Sequence, residues 1–201
     1  MKKSDYINDF WAQKAKKEWY KARSVYKLQE IDQKFKIFNK NTKKILDIGC
    51  APWSWTQYIY RKLKKFWNSF EIIWVDIQPT DLNLSNVKCY KQDATNIEEV
   101  KKIASQHWID QFDTIVSDMA PNTIWHKSTD ALRSMALIEQ TLPIYQKLLK
   151  PEGKFVIKVF MGPWFDEFLQ ILKKTRWGKH IKTFKPQAVR KDSKEIYVIK
   201  I

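Results

Sequence analysis

From residue 44 onward, short apolar runs alternate with stretches in which apolar residues recur every three or four positions. The runs KKILDIG (43–49), FEIIWVDI (70–77), NVKCYKQD (86–93) and FDTIVSDM (112–119) predict buried strands. Between them, Ser54 to Lys65 and Ile97 to Gln106 predict helices. Residues 129–150 predict a long amphipathic helix with Leu132, Met135, Ala136, Ile138, Leu142, Tyr145 and Leu149 on or near one face. A kink is expected at Pro143, which removes a helical donor. PEGKFVIKVF then predicts a turn and a fifth strand, Phe165 to Lys174 a helix, and HIKTF and EIYVIKI a closing hairpin. Ahead of all this, Ala15 to Phe35 predicts a helix carrying basic residues.

Strand–helix alternation implies a mostly parallel sheet covered on both faces, with ligands beyond the carboxyl ends of the strands. The terminal hairpin adds one antiparallel strand. The expected architecture is therefore a Rossmann-like α/β fold with a seven-stranded sheet and a basic N-terminal helix. At 201 residues it is expected to form one domain, 1–201, with residues 1–43 as a basic extension.

Composition narrows the classes. A chain that is 44% hydrophobic and 14% aromatic is no disordered tail. No run reaches the roughly 18–20 apolar residues of a membrane span, and the N-terminus lacks a secretory apolar core. Cys50 and Cys89 lack metal-ligand spacing and cannot build a disulfide framework, so they read as reduced residues of a cytosolic protein. The net charge of +15 is segregated: +8 in residues 1–44, −2 in 45–146 and +9 in 147–201. Two basic ends around a neutral middle imply a polyanionic partner, RNA or DNA ahead of a membrane surface.

The acidic residues sit at strand ends. Asp76 closes the second strand, Asp93 the third and Asp118 the fourth, while Asp47 lies inside the first. Each alone reads as a turn or helix cap. Together they line one sheet edge, and an acid after the second strand is where nucleotide-binding sheets hold ribose hydroxyls. The loop DIGCAPWSW lacks the glycine run that seats a pyrophosphate. A cofactor with a ribose and base but no phosphate fits better, and S-adenosylmethionine is the candidate.

The motifs DIGCAPWSWTQ (47–57), VDIQP (75–79), QDATN (92–96), SDMAPN (117–122), FVIKVFMGP (155–163) and KEIYVIKI (194–201), with ARSVYKLQEID (22–32), resemble the FtsJ-like ribosomal RNA 2′-O-ribose methyltransferases. The resemblance runs from about Lys14 to Ile201. It implies a catalytic Lys–Asp–Lys–Glu tetrad at Lys27, Asp118, Lys158 and Glu195. It also implies cofactor contacts at Trp53, Trp55, Asp76, Asp93 and Asp118. Asp76 would hold the ribose hydroxyls, Asp93 the adenine amino group, and Asp118 would lie near the methyl group. No metal is implied. The implied partner is ribosomal RNA or the large subunit, most simply a uridine, met in the cytoplasm through the basic face with no obligate protein partner. Lys158 is the expected proton-handling residue, as a neutral base aided by a second cation at Lys27 or as a charged group steering the hydroxyl. Two other readings stand beside this one: an impaired relative that binds RNA without activity, and a methyltransferase acting on tRNA, a messenger cap or a small molecule.

Tryptophan is the anomaly. The chain has 10 Trp and 4 Gly, against about 14 Gly from average usage. Trp19, Trp53, Trp74, Trp125 and Trp164, and more weakly Trp67, stand where the family pattern has glycine. Trp55 matches a tryptophan of the pattern, while Trp11, Trp108 and Trp177 match nothing assignable. One reading is extra stacking surface for RNA bases. The preferred one is a UGA codon, read as tryptophan in some genetic codes and as glycine in at least one.

Overall fold

The computed structural model describes residues 9–49, 51–67, 69–79, 82–121 and 127–201. Cys50, Asn122 and Trp125 lie outside them. The sheet has seven strands: β1 (Lys44–Ile48), β2 (Glu71–Asp76), β3 (Val87–Lys91), β4 (Phe112–Ser117), β5 (Leu149–Phe160), β6 (Ile181–Phe184) and β7 (Glu195–Lys200). Their order is β3-β2-β1-β4-β5-β7-β6, with β7 alone running opposite to the other six strands. The strand order reverses between β1 and β4, opening a crevice at their carboxyl ends.

Alternation along the strands splits the core into two layers. Leu46, Ile48, Ile73, Val75 and Ile115 face one side, beneath α4 (Ile97–Gln106), α5 (Lys127–Leu148) and α6 (Phe165–Lys174). Ile45, Ile72, Trp74 and Val116 face the other, beneath α2 (Val25–Phe35) and α3 (Ser54–Lys64). A parallel sheet buried on both faces needs such uninterrupted apolar runs.

Two expectations are corrected. The basic N-terminal helix is two helices, α1 (Phe10–Lys17) and α2, separated by residues 18–24. Asp9 starts α1 by accepting the N–H groups of Trp11 and Ala12, at 3.0 and 3.3 Å. The chain closes α1 with Tyr20 N–H on Ala15 O at 2.8 Å and Trp19 N–H on Lys16 O at 3.2 Å. Periodicity alone ran through this stop. The long helix α5 spans 127–148 and continues through Pro143, and β5 begins at Leu149, taking in the expected turn.

Buried Asp32 ties α2 to α3. It accepts Phe38 N–H at 2.9 Å and Tyr58 O–H at 2.7 Å, and pairs with Lys62 at 2.9 Å. Glu30 accepts the N–H groups of Gln187 and Ala188 at 2.7 and 2.9 Å, and Arg23 donates to Ala188 O at 2.7 Å. The two basic ends of the sequence are thus joined. Cys89 is half-buried, and burial pushes its thiol up to about 11, with Asp47 adding to the effect.

Candidate active site

β5 and β7 pair Lys158 with Tyr197 and Phe160 with Glu195. Residues facing across an antiparallel pair, and residues two apart on a strand, share a sheet face, so Lys158, Tyr197 and Glu195 project together. Asp118 follows Ser117, which pairs with Ile157, so it arrives beside Lys158. Lys27 comes from the first turn of α2 and meets the group from the helical layer.

The contacts are continuous. Lys27 Nζ lies 2.7 Å from Glu195 Oε1 and 2.9 Å from Oε2. Tyr197 O–H is within hydrogen-bonding reach of both carboxylates, Glu195 Oε1 and Asp118 Oδ1, the latter at 3.2 Å. Lys158 Nζ pairs with Asp118 Oδ1 at 3.1 Å and also donates to the Asp118 carbonyl. All four tetrad positions therefore converge through Tyr197, a residue the sequence reading missed. The available signal was its place two residues after Glu195 on one strand. Burial, then the Asp118 and Glu195 carboxylates, raise the Tyr197 hydroxyl well above the ordinary tyrosine value, which keeps it a neutral donor. Tyr197→Phe removes this bridge without changing ring packing on Trp55, whose centroid is 5.8 Å away. It should lower kcat by about two- to tenfold, the worth of one hydrogen bond, with KM little changed in steady-state assays.

Beside this cluster lies a cavity of about 650 Å³ at the carboxyl ends of β1, β2 and β4. Asp76, Asp93, Asp118 and Lys158 border it, so Asp118 and Lys158 belong to both cavity and cluster. Asp76 is buried and accepts Ala51 N–H at 3.0 Å and Gln78 N–H at 2.8 Å, fixing the loops after β1 and β2. Asp93 is exposed and closes a tight turn onto Thr95, whose N–H and O–H it accepts at 2.9 and 2.8 Å. Gly49 has φ +65°, and a Cβ there would sit 2.0 Å from Met119 Cγ, so the first loop requires glycine at this point. Arg133, Ala136, Leu137 and Gln140 form a further wall at one-turn spacing along α5. The sequence pattern placed Ala136 on the apolar face of the helix and gave none of the four a part in the site.

Trp53 and Trp55 do not border the cavity. Trp55 is turned into the core, where its indole N–H donates to Ser24 O at 2.9 Å. Trp53 is half-buried at the entry to α3, with Lys21 Nζ 4.8 Å from its ring centroid.

The cavity's size suits one small molecule, and its carboxylates suit a cation. A model of FtsJ-like methyltransferases matches residues 20–201. The chain belongs to the FtsJ-like methyltransferase family. Among relatives of this methyltransferase is the ribosomal RNA large subunit methyltransferase E of Desulfatibacillum aliphaticivorans. It is 40% identical over 196 residues, spanning 95% of this chain and 88% of the relative. The protein of the same name from Pelagibacter ubique is 38% identical over 95% of this chain and 90% of its own. A crystal structure of a ribosomal RNA methyltransferase from Plasmodium falciparum is 28% identical and superimposes with a TM-score of 0.76, covering 90% of this chain and 97% of that one. Human methyltransferase-like protein 13, in complex with SAH, shares the fold at 12% identity and a TM-score of 0.56, over 82% of this chain and 76% of that one. The methyl donor of this FtsJ-like enzyme is S-adenosylmethionine, and the acidic, single-ligand cavity fits it. Among the described residues, no helix is long and apolar enough to cross a membrane.

Proposed function

We propose that this enzyme methylates a ribose 2′-hydroxyl of large-subunit ribosomal RNA, a uridine being the simplest target. The observation that carries the reading is the continuity of the Lys27–Glu195–Tyr197–Asp118–Lys158 cluster with the donor cavity. When bound, the donor supplies an electrophilic sulfonium methyl group. The chain's own residues have three tasks: placing the hydroxyl oxygen in line, steadying its developing charge, and receiving its proton. Asp76 and Asp93, which border the cavity, would hold the donor's nucleoside end, and Asp118 the end that carries the methyl.

Lys158 has an anionic partner in Asp118, and Lys27 is held by its own partner, Glu195. This arrangement favours Lys158 as the group that orients the nucleophile and stabilises negative charge on its oxygen. Lys27 then acts through Glu195 and Tyr197, as a positioning residue, rather than as a free second cation. Incubating the enzyme with methyl-labelled donor and large subunits lacking the modification tests the proposal. Label at a ribose 2′-oxygen is expected; label on tRNA alone, or on a base, would overturn it.

RNA is expected to dock on the joined basic ends, where Lys16, Lys17 and Lys21 on one segment and Lys185, Lys191 and Lys194 on the other are exposed. Lys16→Glu with Lys17→Glu should weaken RNA binding and reduce the slope of log affinity against log salt by about one to two units. Filter binding across a salt series measures both, and an unchanged slope would remove these lysines from the interface.

A further inference from the structure

Four described residues other than glycine have positive φ, and three of them are tryptophan: Trp19 at 61°, Trp53 at 60° and Trp108 at 56°. A few per cent of non-glycine residues adopt such angles, and for a bulky side chain the conformation is an outlier. Three of the nine described tryptophans is far beyond that rate. We propose that positions 19, 53 and 108 are glycine in the protein the cell makes, each encoded by a UGA codon that this sequence renders as tryptophan.

The backbone hydrogen bonds identify what each position is. After α1, Trp19 N–H bonds Lys16 O at 3.2 Å and Tyr20 N–H bonds Ala15 O at 2.8 Å. After α4, Trp108 N–H bonds Ser105 O and Ile109 N–H bonds Ala104 O, both at 3.0 Å. Each is the paired closure of a Schellman motif, with tryptophan in the left-handed seat that glycine ordinarily takes. The side chains do nothing to offset this, since Trp19 is 82% exposed and Trp108 is 89% exposed. Trp53 occupies a third such seat, four residues after Gly49, where the chain turns from β1 into α3. Trp108 adds an independent observation, because family resemblance does not single it out and backbone geometry does.

Trp55 is the internal contrast. It is buried, donates to Ser24 O and lies outside the positive-φ set. Its codon should be UGG. Trp74, inside β2, and Trp164, at φ −89°, occupy conformations open to any residue and are not part of the assignment.

Codons and peptide masses from the source organism test the assignment directly. UGA at 19, 53 and 108, UGG at 55, and glycine-containing native peptides are expected. A UGG codon or a tryptophan-containing native peptide overturns the assignment at that position. The recombinant chain as written can also be compared with its Trp19→Gly/Trp53→Gly/Trp108→Gly variant. The variant should melt higher by roughly 5 °C or more, because three strained seats are relieved. A lower or unchanged melting temperature counts against the assignment. A higher one supports it.

Discussion

Lys158→Ala is expected to lower methyl transfer by about 10²–10⁴-fold, the range associated with losing a positioned proton-handling or charge-stabilising group. Affinity for S-adenosylhomocysteine should change only a few-fold. Lys158 is one of many residues that line the cavity, and Asp76 and Asp93 border it as well. Single-turnover transfer to large subunits, paired with calorimetric titration of S-adenosylhomocysteine, separates the two effects. A variant that transfers methyl groups at the parent rate would sink the proposed role. Lys158→Arg refines the result, since guanidinium keeps the positive charge and the pairing with Asp118 but does not give up a proton. Activity above that of the alanine variant supports an electrostatic role, and equal loss in both supports a proton acceptor.

The second large effect is on stability. Asp32→Ala should cost about 3–5 kcal/mol, because its carboxylate is fully buried and removing it strands three donors. For a chain of this length, each kcal/mol moves Tm by about 2–4 °C, so a fall of roughly 10 °C or more is expected by calorimetry. Asp32→Asn retains a carbonyl acceptor for Phe38 N–H or Tyr58 O–H and should lose distinctly less. Function should suffer as well, because α2 carries Lys27 one turn from its start and Asp32 anchors the far end of that helix against α3. A fall of less than about 1 kcal/mol would show that the carboxylate is not the anchor of this layer.

Most of the architecture was legible because the seven strands of this fold are either apolar runs or close alternations. β1 and β2 are at least half Ile, Leu and Val, β4 carries Phe112, Ile115 and Val116, and each ends in or beside an aspartate. Helices α4 and α6 fell at their expected limits, since Asn96 caps the one and the apolar spacing of Phe165, Phe168 and Leu172 defines the other. The break at 18–24 was not legible. Its signal would have been a glycine after α1, and tryptophan stands there. The long helix was legible apart from its limits: α5 spans 127–148 with Pro143 inside it, and Ile144 and Tyr145 are buried immediately beyond.

Side-chain type and order determined the sheet, its two apolar layers, the acids at its edge and the family that those motifs mark, because periodicity and strand-end chemistry are local properties of a chain. Only the tertiary structure decided that Lys27, Asp118, Lys158 and Glu195 form one cluster, that Tyr197 joins its two ion pairs, and that the Trp55 indole is buried with its N–H on Ser24 O. The links from Lys27 to Glu195 and from Asp118 to Tyr197 span 168 and 79 residues. Strand register and helix docking set contacts of that kind, and a linear pattern carries neither.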